Sequence, residues 1–293
     1  MRVICFCLLF LCGAASCQKR PSQPAAKPIV LVSIPSYLYF IERIAGDTVT
    51  ALSLTPPGAN PHIYEPSPKE VQNFRQASLW IRLPSDRKTY AVLKEQSPKM
   101  CIVDITEGIP LLPAFAGRQA ACHGHHCGHL HDAEEYDLHI WLSPRLAQKQ
   151  AKTIAQHLAH LLPENRERYD LALSLFLEDL RKADAEISAL LASKEESAIL
   201  VSHPAFAYLC QDYRLTQLSI EIEGKEPLPQ DITHLLHQAK QLRIASILAE
   251  PQYNDKGAQL MATHLHLPVY VVDPYAENYL ENLKYIAEIM AKS

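Results

Sequence analysis

The sequence predicts an α/β protein of two lobes, each a four-stranded, mainly parallel sheet flanked by helices, with one long spine helix joining them. Three observations carry this. Short β-branched runs alternate with helical stretches in the first half of the chain, the pattern of βα units feeding a parallel sheet. A second set of four such runs occupies the last third. Between the sets lies a stretch with no glycine or proline after its first residue and a single apolar stripe.

The elements follow in order. The chain opens Met1-Arg2 and runs apolar from Val3 to Ala15, long enough for a signal-peptide core and too short for a membrane span of roughly 20 residues. Ala14-Ala15-Ser16-Cys17 places small residues directly before a cysteine and resembles the lipobox of bacterial lipoproteins, although Ala14 stands where such boxes usually carry leucine. Residues 1–17 are therefore expected to be an export signal ending at a lipidated Cys17. Residues 18–27, rich in Pro, Ala, Ser and Gln, suit a tether.

The N-terminal lobe is expected over 28–162, with strands at 29–34, 48–54, 79–83 and 101–105. Ser67-Pro68-Lys69-Glu70 and Ser143-Pro144 each offer a hydroxyl N-cap followed by proline at the first helical position. The linking helix is expected over 163–192. From Pro163 to Leu191 its apolar residues Tyr169, Leu173, Phe176, Leu180, Ala183, Ile187 and Leu190 recur at three-and-four spacing. At 1.5 Å per residue it spans about 40 Å. The C-terminal lobe, 193–293, has strands at 198–202, 215–220, 245–249 and 269–272.

Cys5, Cys7, Cys12 and Cys17 belong to the leader, which leaves Cys101, Cys122, Cys127 and Cys210. An oxidising envelope permits a Cys122–Cys127 or a Cys101–Cys210 bridge, and sequence does not choose between them. The net charge of −4 is spread over interspersed acidic and basic residues, so there is no basic footprint for nucleic acid.

The segment Cys122 to Asp132 holds His123, His125, His126, His129 and His131 among two cysteines and two glycines. Imidazole and thiolate suit borderline-soft cations, so the composition reads as transition-metal binding. Its glycines and its lack of apolar period make it a solvated loop, not a rigid tetrahedral site. Four other residues fall where a strand has just ended or a loop breaks the pattern. His62 lies in Pro61-His62-Ile63-Tyr64-Glu65-Pro66-Ser67-Pro68, His139 in His139-Ile140-Trp141-Leu142-Ser143-Pro144, His203 in Ser202-His203-Pro204-Ala205-Phe206, and Asp273 in Val272-Asp273-Pro274. Ligands of open α/β sheets bind beyond the carboxyl ends of strands, so these four can converge on one cleft. Three imidazoles and a carboxylate make a complete shell for zinc. Singly, each reads as a hydrogen-bonded loop residue; the joint placement is what points to a site. The pairs His157/His160 and His234/His237 have helical spacing but read as exposed surface.

These segments, with Glu250-Pro251-Gln252, resemble the metal-binding receptors of bacterial ABC importers, the ZnuA/TroA-like cluster A-I family, over nearly the whole chain after the leader. The resemblance implies two lobes with one metal between them, His62 and His139 as N-lobe ligands, and His203 and Asp273 as C-lobe ligands. It implies Zn2+ as the cargo, because histidine at the third position is typical of zinc receptors and glutamate there of manganese receptors; a manganese or mixed receptor is the alternative. It implies a permease and cytoplasmic ATPase as partners, a monomer, and an exported, lipid-anchored position in the cell envelope or periplasm. Zinc receptors of this family often carry an acidic, histidine-rich insert, so residues 122–132 are expected to be an accessory collector. The chain departs from the family at Arg82-Leu83-Pro84-Ser85-Asp86, where a glycine turn leading to glutamate is common. Glu65, Glu221, Glu223 and Glu250 are candidates for orienting the imidazoles.

A zinc hydrolase is the rival reading, and would need an open metal position and a general base. The chain has no His-Glu-x-x-His, no Gly-x-Ser-x-Gly and no phosphate-cradling glycine loop. An envelope adhesin, or cell-adhesion lipoprotein with incidental histidines, fits the leader and ignores the placement of the four residues. Because a stiff spine opposes wide hinging, metal release is expected to use small lobe tilts and movement of the loop carrying His139.

Overall fold

The computed structural model describes residues 26–114, 136–221 and 229–292. Cys17, the leader, Glu223 and the whole histidine-rich segment with Cys122 and Cys127 lie outside the described residues. The N-terminal lobe runs β1 (Ile29–Val32), α1 (Ser36–Ala45), β2 (Thr50–Ser53), α2 (Pro68–Phe74), β3 (Ala77–Arg82), α3 (Arg87–Gln96), β4 (Cys101–Asp104) and α4 (Pro144–Leu161). After α5 (Arg166–Leu191) come β5 (Ala198–Val201), α6 (Ala207–Asp212), β6 (Thr216–Ser219), α7 (Pro229–Gln241), β7 (Ile247–Ala249), α8 (Lys256–Leu265), β8 (Val269–Val271) and α9 (Tyr279–Lys292).

The sheets are ordered β2-β1-β3-β4 and β6-β5-β7-β8, and every strand pair within them is parallel. Central strands of a parallel sheet are covered on both faces and so read as unbroken apolar runs. Ile29-Val30-Leu31-Val32 and Ala198-Ile199-Leu200-Val201 do so and are almost wholly buried. In each sheet the chain reverses direction of winding between its two central strands, β1 and β3 or β5 and β7. Connections leave such neighbours on opposite sides, which opens a crevice at their carboxyl ends.

Both hydroxyl caps form. Ser67 accepts from the Glu70 backbone N–H while the Glu70 carboxylate accepts from Ser67 N–H, a reciprocal capping box. Ser143 Oγ accepts from Leu146 N–H and donates to Asp212 Oδ2 at 2.5 Å, tying the start of α4 to the C-terminal lobe. The spine is unbroken over Arg166–Leu191, about 39 Å at 1.5 Å per residue, and enters through a 3-10 turn at Pro163–Asn165. Its stripe differs from the expected one at the end: Leu190 is 41% exposed and Leu191 is buried in its place, while Leu173 is half-buried. The α-helix continues through Leu191, and at 3.6 residues per turn Leu191 lies about 40° from the Ile187 direction and Leu190 about 60° on the other side.

One apolar core runs through both lobes. It contains Val30 and Ile81 of the first sheet, Phe176 and Ile187 of the spine, Ile199 and Val201 of the second sheet, and Leu283 and Ile286 of α9. The C-terminal helix returns across the spine, and Tyr279 packs 4.8 Å from the Phe40 ring and donates to the Trp141 carbonyl. The Cys101–Cys210 bridge is not formed. Cys101 is an exposed thiol at the edge of the first sheet, and Cys210 is buried in the other lobe, where desolvation pushes its thiol pKa up. Among the described residues no helix is long and apolar enough to cross a membrane.

The Arg82–Asp86 departure also has a physical resolution. Asp86, largely buried, accepts from Ser33 Oγ at 2.8 Å and from Arg82 Nε at 2.7 Å, and Ser33 Oγ in turn accepts from Leu83 N–H and Trp80 Nε1. This acid stitches together the carboxyl ends of β1 and β3. Burial raises its pKa to about 6 despite the Arg82 guanidinium.

Candidate metal centre

His62 follows β2, His203 follows β5, and His139 stands immediately before a buried 3-10 turn, Ile140–Leu142. Their ligating nitrogens all lie within 4.8 Å of one another. His139 and His203 are buried at 5% and 7% exposure, whereas His62 is exposed. The ring centroids are 5.1 to 5.5 Å apart.

Carboxylates fix the tautomers of two rings. Asp137 Oδ1 accepts from His139 Nδ1 at 2.7 Å and from His139 backbone N–H at 2.8 Å. Glu221 Oε2 accepts from His203 Nδ1 at 2.7 Å. An ionised carboxylate only accepts, so each Nδ1 carries the proton and each Nε2 presents a lone pair. Those two Nε2 atoms face each other at 3.4 Å. Two acceptors at that distance repel unless a cation lies between them. In a tetrahedral zinc site with bonds of about 2.0–2.1 Å, neighbouring ligand atoms stand roughly 3.3–3.4 Å apart, so the pair is spaced as one edge of such a shell. Burial, with His139 and His62 nearby, pushes the His203 pKa well below the usual imidazole value. The ring is neutral at physiological pH, the form that binds metal.

Asp273 is not drawn into the cluster. Its Oδ1 accepts from Gln252 Nε2 at 2.7 Å and from Tyr275 N–H at 2.9 Å, and the three histidines gather without it. Of the expected orienting acids, Glu221 holds His203 directly. Glu250 holds it through the backbone, since its Oε2 accepts from Ser202 Oγ and from His203 N–H, joining the ends of β5 and β7 across the crevice. Glu250 is fully buried and its pKa rises to about 8 through desolvation. Glu65 orients nothing at the site; it pairs with Lys88 on the exposed surface. Asp137 was not among the expected acids, and its position two residues before His139 is the signal that marks it. Tyr253 stacks on the His203 ring at 4.0 Å, and Tyr275 Oη lies 3.1 Å from His139 Nε2; nothing in their sequence context marks either.

The loop expected to move is the anchored one. Besides Asp137, the His139 segment is held by Tyr208, whose hydroxyl donates to the Asp137 carbonyl at 2.7 Å, and by Trp141 Nε1, which donates to the Pro274 carbonyl at 2.7 Å. The exposed member of the three is His62, in a loop outside the helices and strands.

The chain resembles solved structures along nearly all its length. A crystal structure of ZnuA superposes with TM-score 0.82 at 32% identity, covering 91% of this chain and 99% of that one. A zinc-bound deletion mutant of ZnuA gives 0.80 at 33% identity, covering 90% and 97%. A Chlamydia trachomatis serovar D protein named for metal binding is 30% identical over 99% of both chains. Residues 30–293 match the family profile of ZnuA, the periplasmic zinc-uptake complex component A, and the chain belongs to that family.

Proposed function

We propose that the chain is an envelope-facing receptor that captures Zn2+ between its lobes and delivers it to a membrane permease driven by a cytoplasmic ATPase. The observation that carries this reading is the facing pair of carboxylate-fixed Nε2 atoms 3.4 Å apart, with His62 completing a three-nitrogen face. Imidazole nitrogen suits zinc, and oxygen-rich shells suit manganese. The family is one of metal-uptake components, not enzymes. In this reading His62, His139 and His203 hold the ion. Asp273 closes on it from the C-terminal lobe, through Oδ2 while Oδ1 stays with Gln252 and Tyr275.

The histidine-rich segment is, on this proposal, a low-affinity collector. The described residues on either side of it meet, through the Pro113–Tyr136 bridge and the Asp137 N–H to Leu112 carbonyl bond at 2.8 Å. These flanking residues thus pair with each other two to three positions before His139. A lipid on Cys17 tethers a monomeric receptor to the membrane. Metal content of the purified mature chain by mass spectrometry, with isothermal titration of zinc, tests the reading. One submicromolar zinc site is expected. Isolation without metal together with no submicromolar binding would overturn it, and zinc-dependent turnover of esters or peptides would favour the hydrolase.

A further inference from the structure

Tyr275 reaches from the loop after β8 to the His139 ring of the other lobe. Its hydroxyl lies 3.1 Å from Nε2, and Asp137 already takes the Nδ1 proton, so the phenol is the donor and the imidazole the acceptor. The lone pair it engages is the one a metal must take. The hydroxyl is also 3.3 Å from Tyr253 Oη, and either oxygen can donate to the other. Both tyrosines are held in place by other contacts. Tyr253 lies flat on the His203 ring, with an interplanar angle of 11°. Tyr275 is 3% exposed, packs 5.4 Å from the Trp141 ring, and has its backbone N–H on Asp273 Oδ1.

We propose that Tyr275 sets zinc affinity by competition: its hydroxyl occupies the His139 Nε2 lone pair in the empty protein and gives it up on loading. This rests on the zinc-receptor reading above. No covalent bond is made or broken. While Tyr275 donates to His139, Tyr253 is the donor to Tyr275, so the contact between the two tyrosines is already made in the empty protein and does not replace the bond that loading gives up. Removing the Tyr275 hydroxyl removes the competitor, and removing the Tyr253 hydroxyl leaves it in place.

The test measures zinc affinity of the mature chain against a chromophoric chelator at neutral pH, with near-ultraviolet absorption followed during loading. Y275F is expected to bind about fivefold to tenfold tighter, the size of one net hydrogen bond. Y253F, which leaves the Tyr275 bond to His139 in place, is expected to bind within about twofold of the unaltered chain. Damage to the fold weakens binding, so tightening is diagnostic. Unchanged or weaker binding by Y275F overturns the inference, as does tightening by Y253F equal to that of Y275F. A tyrosinate band that grows with zinc and is absent in Y275F also overturns it, by making the phenol a ligand. If Y275F does not fold, a zinc-loaded crystal structure of the unaltered chain decides: Tyr275 still the partner of His139 Nε2, with zinc held by other atoms, overturns the inference. Absence of tight zinc binding in the unaltered chain would instead sink the receptor reading itself.

Discussion

Asp137→Asn isolates the charge behind His139, one of the three histidines proposed to hold zinc. The asparagine oxygen can still accept the two bonds that Asp137 Oδ1 receives, from His139 N–H at 2.8 Å and Nδ1 at 2.7 Å, so the loop keeps its geometry. What is lost is the negative charge, at a side chain only 4% exposed. A hydrogen bond to a charged group contributes about 1.5–3 kcal/mol and a neutral one about 0.5–1.5 kcal/mol, a difference of roughly 1–1.5 kcal/mol. That corresponds to about fivefold to more than tenfold in zinc affinity, and it agrees with the 10- to 100-fold cost, roughly, of removing a partner behind a metal-bound histidine. Zinc draws electron density from the ring, so the Nδ1 proton is held more strongly by the carboxylate in the loaded state; the loss therefore falls on affinity and not on fold. Chelator competition at neutral pH reads it, with Glu65→Gln as control, because Glu65 pairs only on the surface with Lys88. D137N within twofold of the unaltered chain, or no weaker than E65Q, would refute the assignment of Asp137 as the group that tunes His139.

Other expectations follow from the same geometry. His62→Ala, His139→Ala and His203→Ala should each weaken zinc binding by on the order of 100-fold or more, while deletion of 122–132 leaves one tight site; loss of that site on deletion would reverse the assignment. Asp86 titrates near pH 6 in the folded chain and at about 3.9 unfolded, so the folded state holds the proton more tightly. Its stabilising contribution is complete below about pH 4 and is lost as pH rises through about 6, up to about 3 kcal/mol. D86N should therefore gain on the unaltered chain across that window in urea denaturation, and a pH-independent difference would count against it. A thiol reagent should label exposed Cys101 in the native protein and Cys210 only on unfolding; slow labelling of both would point to a different packing of α6.

The central strands were legible because parallel strands covered on both faces leave continuous apolar runs, the edge strands because β-branched runs recur between helical stretches, and the spine because one stripe persists without glycine or proline. The ends were less so. The stripe closes on Leu191 and not Leu190 because a period of 3.6 returns to the Ile187 face after three or four residues, and spacing alone does not choose. His62 and His203 were marked by strand ends and His139 by a loop that breaks the pattern, and the structure brings the three together. Asp273 was marked by the same rule, yet its Oδ1 is held by Gln252 and the Tyr275 backbone, a competition that exists only once the loop folds. Tyr253 and Tyr275 carried no signal at all, since their roles depend on which rings from distant segments they meet.

The lobes are held together too firmly for a wide hinge. Besides the Tyr275–His139 bond, five hydrogen bonds cross between them near the site: Trp141 Nε1 to the Pro274 carbonyl, the Tyr208 hydroxyl to the Asp137 carbonyl, Leu112 N–H to the Tyr208 hydroxyl, Ser143 Oγ to Asp212 Oδ2, and the Tyr279 hydroxyl to the Trp141 carbonyl. At about 1 kcal/mol each, opening costs roughly 5 kcal/mol before any apolar surface is exposed, so fewer than about one molecule in a thousand opens unaided. The single core through both sheets and α9 adds to that. On the proposed receptor reading, loading and release then work by small tilts and by His62, the exposed member of the three histidines. For a compact chain of this length the radius of gyration is about 19 Å. Small-angle scattering of metal-free and zinc-loaded protein should agree to within about 1 Å of that radius; a larger contraction on loading would mean that these five bonds break in the empty state, and that the lobes hinge after all.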